Sequence, residues 1–212
     1  MIQVSNLTKK FGSHISLDKI SVDFNKNDYV ALMGPNGAGK TTLIRSIMGY
    51  YHPNAGGVLI NGLNPIKKRT EVLNAISFVP QLPPPIKLNL DELMKYIQTS
   101  SNVDKELIMH YANEMKLDIK NNLNKSFFKL SGGMKQKMLI AISLAKKSEI
   151  IIYDEPTANL DPKARDDFYR LLKDNEKEKI SLFVTHRLDE VKDIVNRQIY
   201  MDLGKIQSDD RV

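Results

Sequence analysis

"YVALMGPNGAGKTTLIRSIMG", residues 29 to 49, decides the fold. Tyr29 to Met33 form a short unbroken apolar run, the pattern of a strand buried on both faces in a parallel sheet. The run passes straight into Gly34, and Gly34-x4-Gly39-Lys40-Thr41 satisfies the pattern of a phosphate-binding loop. Beyond it Leu43, Ile44, Ile47 and Met48 fall at helical spacing, and Gly49 supplies a stop. Strand before and helix after is the context that the loop pattern requires. Its glycines let backbone wrap phosphates at distances a side chain would block, Lys40 reaches the β- and γ-phosphates, and the Thr41 hydroxyl takes Mg²⁺. The nucleotide phosphates are therefore assigned to Gly34, Pro35, Asn36, Gly37, Ala38, Gly39, Lys40, Thr41 and Thr42.

Outward from this stretch the chain alternates. Ile20, Val22 and Phe24 alternate with Ser21, Asp23 and Asn25, the period of a half-buried strand. "GGVLINGLNP" at 56 to 65 predicts a strand and an Asn61-Gly62 turn, and "AISFVP" at 75 to 80 another strand. The middle changes character: Leu90, Leu93, Met94 and Ile97, then Leu107, Ile108, Tyr111 and Met115, repeat at helical spacing. Residues 83 to 147 are expected to be mostly helical, entered through "PPP" at 83 to 85 as a stiff polyproline segment. "IIIY" at 150 to 153 and "SLFVT" at 181 to 185 predict buried strands. Between them Asp161-Pro162 opens a helix through Leu172, and another is expected from Leu188 to Val195. The sum is an α/β chain with parallel strands, a helical insertion and preceding antiparallel strands.

A Mg²⁺-nucleotide site needs carboxylates, and "IIIYDEP" delivers Asp154 and Glu155 at the end of a buried strand, the edge where ligands bind. Asp154 is the Mg²⁺ partner, through water. Glu155 is available as general base or as the group that orients water for attack on the γ-phosphate. Pro156 biases Glu155 away from the α region. Gln81 and His186 also follow strands, and a lone histidine there is as readily a structural hydrogen-bonder. "LSGGMKQ" at 130 to 136 is a second anion-binding candidate, with Ser131, Gly132 and Gly133 ahead of a helical stretch from Lys135 to Lys147.

Taken in order, these motifs resemble the ATP-binding subunit of ABC transporters across essentially the whole chain. The loop at 34 to 42 matches Walker A, Gln81 the Q-loop, "LSGGMKQ" the signature, "IIIYDE" Walker B, "ANLD" at 158 to 161 the D-loop, and "VTH" at 184 to 186 the switch histidine. "LTKKFG" matches the segment whose aromatic residue, here Phe11, stacks on adenine; a core aromatic of a β-layer is the alternative.

The resemblance implies a RecA-like P-loop NTPase core, an antiparallel β-subdomain and an inserted helical subdomain. These make one domain over 1–212, divided at about 1–82 and 148–212 against about 83–147. It implies ATP and Mg²⁺ as cofactors, with Thr41, Gln81 and Asp154 near the metal, and Lys40, Glu155 and His186 in catalysis. His186 would contact the γ-phosphate. Also implied are a homodimer or heterodimer with ATP between the Walker A of one subunit and Ser131, Gly132 and Gly133 of the other, with Asp161 crossing the interface or acting as a plain N-cap. A separate multi-span membrane permease, at the cytoplasmic face of the cell membrane, would be driven by this ATPase. Met134 after "LSGG", with "LDP" at 160 to 162, is similar to the ATPases of ABC-2-type exporters.

Composition narrows the alternatives. The chain has 212 residues, no cysteine, and 31 Lys and Arg against 25 Asp and Glu, a net +6 of mixed sign. The absence of cysteine excludes disulfides and fits a reducing compartment. No block of basic charge points to nucleic acid. The longest apolar stretch, Met138 to Ala145, falls far short of the ~20 residues of a membrane span, and the N-terminus lacks a signal-peptide pattern. A soluble ABC-type ATPase, for instance in iron–sulfur cluster assembly, is the second reading. A DNA-maintenance ATPase is disfavoured, because residues 81 to 131 leave no room for a long coiled coil. A module that binds without hydrolysing conflicts with an intact Glu155.

Overall fold

Strands β1 (Ile2–Phe11), β2 (His14–Phe24) and β3 (Tyr29–Met33) lead into helix α1 (Lys40–Ile47), then β4 (Ala55–Ile60), α2 (Arg69–Asn74) and β5 (Ile76–Val79). Helices α3 (Leu90–Ser101), α4 (Lys105–Glu114) and α5 (Gly132–Lys146) precede β6 (Ile150–Asp154), α6 (Pro162–Asn175), β7 (Ile180–Val184), α7 (Leu188–Val191), β8 (Arg197–Asp202) and β9 (Lys205–Arg211). The structure is a computed structural model that describes residues 1–175 and 178–212. Two units emerge from it: Met1–Ser77, Glu149–Asp154 and Lys177–Val212 form one, Phe78–Ser148 and Glu155–Glu176 the other.

In the first unit a six-stranded sheet has the order β5-β6-β7-β3-β8-β9. β3, β6, β7 and β8 run parallel, and β9 closes the edge antiparallel to β8. Val30, Ala31 and Leu32, with Ile150 to Tyr153 and Leu182 to Val184, are buried, as their continuous apolar runs require of strands covered on both faces. Tyr153 and Phe183, partners in the register, stack with ring centres 5.0 Å apart. A second sheet, β2-β1-β4, is antiparallel throughout.

An ionic network around buried Asp28 pins the sheet at the start of β3, the end opposite the loop. Arg197 at the start of β8 donates to both carboxylate oxygens of Asp209 at 2.6 Å, to Asp28 at 2.9 Å and to the Asp23 carbonyl at 2.7 Å. Arg211 meets the other Asp28 oxygen at 2.9 Å. Asp28 is 2% exposed, so its charge is tolerable only because two guanidiniums and the Asn25 N–H satisfy it.

In the second unit each long helix starts on a side-chain cap. Asn89 and Glu92 form a capping box on α3, Asp104 caps α4, Ser131 caps α5 and Asp161 caps α6. Leu93, Met94, Ile108, Ala112, Phe127 and Met138 fill its core. Tyr111 donates to Asn175 at 2.7 Å and Arg170 pairs with Glu114 at 3.0 Å, which ties α4 to α6.

Several local expectations change. α5 begins at Gly132 rather than Lys135, because the Ser131 cap recruits both glycines into the first turn. The prolines at 83 to 85 do not continue as polyproline: the Ile86 N–H bonds the Pro84 carbonyl at 2.9 Å, a turn centred on Pro85. The helix expected to Val195 stops at Val191, where Ile194 bonds Val191 and tightens the chain. α2 has one buried residue, Val72, and so offers no apolar period to read.

Candidate functional site

The register of the large sheet brings three chain segments to one edge. Leu32 of β3 and Asp154 of β6 both pair with Val184 of β7, so the three strands end level. From that line β3 enters the glycine loop, β6 ends on half-buried Asp154, and β7 is followed by Thr185 and exposed His186. Thr185 accepts from the Arg187 N–H at 3.0 Å, a turn that starts the chain away from the sheet at His186.

The loop itself turns through positive φ at Gly34 (138°), Gly37 (85°) and Gly39 (100°). Alternation of such residues with ordinary ones aims successive N–H groups inward, making an anion nest at the start of α1. Lys40 Nζ folds back on the Gly34 and Pro35 carbonyls at 2.6 and 3.0 Å, which holds the ammonium over the loop. Ala38 is buried, and its N–H closes on the Pro35 carbonyl at 3.2 Å. Thr41 is exposed in the first turn of α1, whereas the Thr42 hydroxyl lies 2.8 Å from that of buried Ser16 on β2. Thr41 is thus the hydroxyl presented to solvent. Ser16 is a support that no motif announced.

Two of the glycines serve a purpose in addition to the one expected. A side chain on Gly34 would run into the Met201 carbonyl of β8, and one on Gly39 would stand 2.6 Å from the Ser16 carbonyl. Only Gly37 faces open space. Close approach to the protein's own backbone by itself excludes a Cβ at 34 and 39.

One carboxylate at Asp154 and one hydroxyl at Thr41 suit Mg²⁺, which takes few protein ligands and completes its shell with water and phosphate oxygens. The nest and Lys40 suit a polyphosphate in the same way. Phe11, at the end of β1, is exposed and meets the edge of Tyr51 at 5.2 Å. Lys9 lies 5.0 Å from the Phe11 ring centre, and Arg45 donates to the Tyr51 hydroxyl at 3.0 Å. Phe11 is therefore a surface aromatic held by neighbours, with area left for a flat ligand.

The remaining residues belong to the second unit. Gln81 is exposed, its carbonyl accepting from Asn159 at 3.2 Å. Ser131 accepts from the Met134 N–H at 3.2 Å as the cap of α5, which leaves its hydroxyl proton to donate outward beside the amides of Gly132 and Gly133. Asp161 caps α6: its bond from the Ala164 N–H, 3.0 Å, keeps the carboxyl below the usual carboxylate range. Glu155 leaves the right-handed α region, as Pro156 requires, but for the left-handed one (φ 49°). Non-glycine residues there carry strain, which gathers at functional positions.

Residues 17–158 match the sequence profile of a family described as ABC transporter. The phosphate import ATP-binding protein PstB 1 of Streptococcus mutans is 34% identical over 226 residues, covering 97% of this chain and 88% of that protein. The energy-coupling factor transporter ATP-binding protein EcfA2 of Clostridium tetani is 30% identical over 220 residues, with 96% and 76% covered. Among solved structures, a dimeric bacterial ABC transporter cassette superposes with a TM-score of 0.83 at 25% identity, covering 100% of this chain and 98% of that one.

Proposed function

We propose, for a chain that belongs to the ABC transporter family, the following division of work among its residues. The protein is an ATP-binding and ATP-hydrolysing transporter subunit that uses Mg²⁺, dimerises through its ATP sites and acts with a separate membrane component. Among the described residues no helix is long and apolar enough to cross a membrane. We place the subunit at the cytoplasmic face, held there by its membrane partner.

Gly34 to Thr42 hold the phosphates, Lys40 bridges the β- and γ-phosphates, and Phe11 stacks on adenine. Mg²⁺ supplies charge neutralisation between the phosphates. Thr41 and Gln81 would be ligands of that ion, and Asp154 would reach it through water. Glu155 orients or deprotonates the attacking water, and His186 contacts the γ-phosphate. Ser131, Gly132 and Gly133 complete the site of a second subunit, and Asp161 lies at that interface. The observation that carries the assignment is the level ending of β3, β6 and β7, which sets the loop, Asp154 and His186 on one edge. Import or export is not assigned: relatives named for phosphate import and for an energy-coupling factor match at 34% and 30%, beside the exporter resemblance of Met134 and "LDP".

Removing the ammonium by Lys40→Ala takes away charge-assisted bonds worth about 1.5–3 kcal/mol, so ATP affinity falls roughly tenfold or more. Equilibrium binding of a fluorescent ATP analogue measures it. Sharing of sites is tested by mixing. Lys40→Ala and Ser131→Arg proteins, each inactive alone, regain ATPase activity in mixed dimers, because one interface then keeps an intact loop and an intact signature. Verified mixed dimers without recovered activity would refute the shared site.

A further inference from the structure

Within the second unit, the chain that carries Gln81 is held from two sides. Asn159 Nδ2 donates to the Gln81 carbonyl at 3.2 Å, and Gln136 Nε2 donates to the Pro80 carbonyl at 3.3 Å. Adjacent peptides are therefore fixed by two side chains from different segments. Between Val79 and Leu90 the chain forms no helix or strand of its own; these bonds hold the start of that irregular stretch, and Ser126 Oγ, donating to the Lys87 carbonyl at 3.0 Å, holds its end.

Both donors sit where their chemistry needs explaining. Gln136 lies in α5 with no exposed surface, and its Oε1 has no partner among the described residues. A buried, half-satisfied amide is costly, and methionine would fill the same volume without that cost. The bond to Pro80 is the interaction that a methionine could not make. Asn159 is exposed, in the turn before α6, and lies against the signature glycines. A Cβ on Gly133 would stand 3.0 Å from the Asn159 carbonyl, and one on Gly132 3.8 Å from Asn159 Oδ1. One asparagine thus touches the start of the signature helix with its backbone and the Gln81 carbonyl with its amide.

We propose that Asn159 and Gln136 are positioning residues for Gln81. They fix the Pro80–Gln81 backbone to the signature helix and to the turn at 157–160, so that the reach of the Gln81 side chain is set by those two segments. The inference rests on the role of Gln81 near Mg²⁺. It adds a linkage: the segment that contacts one subunit's ion is bonded to the segment that completes the other subunit's site. A hydrogen-bond donor is required at both positions.

The test uses the full chain with Mg²⁺-ATP and the variants Asn159→Ala, Gln136→Met and Gln81→Ala, alone and combined. Outer contacts of this kind are worth about 10–100-fold. Asn159→Ala and Gln136→Met are expected to lower kcat about tenfold and to raise the Mg²⁺ concentration for half-maximal rate, with ATP affinity unchanged. In the Gln81→Ala background each adds less than about twofold, because its route of action is already gone. A merely structural role would multiply fully with Gln81→Ala and would leave the Mg²⁺ dependence alone; either result overturns the proposal. If Gln81→Ala is impaired while Asn159→Ala has the wild-type kcat and Mg²⁺ dependence, the linkage fails and the role of Gln81 stands. If Gln81→Ala itself has the wild-type rate, both fall. Asn159 is exposed, so its variant keeps the fold and decides the matter should Gln136→Met be unstable.

Discussion

Glu155→Gln is expected to bind ATP as tightly as the native chain while turnover falls about 10²–10⁴-fold, the range for loss of a general base. The substitution keeps side-chain length and planarity, so the left-handed backbone at φ 49° and the following Pro156 have no reason to rearrange. What disappears is the ability to accept a proton from water or to hold that water by a negative charge. The phosphate contacts proposed above lie elsewhere, in the nest at Gly34 to Gly39, in Lys40 and in the metal ligands. ATP should therefore stay bound without being consumed, and a dimer closed by two uncleaved ATP molecules should persist. Steady-state hydrolysis measures the first effect, and sedimentation with Mg²⁺-ATP measures the second. A Glu155→Gln protein with the native rate would remove Glu155 from catalysis. A slow protein that never dimerises would keep Glu155 in catalysis and remove the interface from the account.

The elements legible in the sequence were those whose signal is local. Tyr29 to Met33, the loop and α1 could be read because strand, turn and helix signals follow one another within a few residues. Asp161-Pro162 announced α6 in the same way, since an N-cap and its first-turn proline are neighbours. The order of the large sheet was not legible. That Leu32 and Asp154 both pair with Val184 depends on contacts far apart in sequence, and each strand is merely apolar on its own. The supports of the site were hidden for the same reason. Ser16, outside any motif, reaches Thr42 across 26 residues, and elsewhere Arg197 meets Asp28 across 169. Side chains on opposite walls of a core are brought together by the fold itself, which periodicity cannot encode.

That distinction returns in the glycines, where one motif hides two physical demands. Gly34→Ala is expected to destabilise the fold by about 3 kcal/mol or more, because a positive φ is combined with a Cβ driven into the Met201 carbonyl. The obstacle is backbone of β8, held in the sheet between β3 and β9, and it has no rotamer by which to yield. Gly37→Ala meets nothing within 4 Å and pays the positive φ alone, about 1 kcal/mol. Its methyl meets no protein atom but stands on the loop that is proposed to wrap the phosphates, so ATP affinity should fall by more than stability does. Denaturant unfolding without nucleotide and ATP titration of each folded variant separate the two quantities. Equal loss of stability in both variants would mean that the loop is not divided between packing and binding. With the expected split, Gly34 holds the loop to β8 and Gly37 keeps it open to phosphate, although the pattern writes both with the same letter.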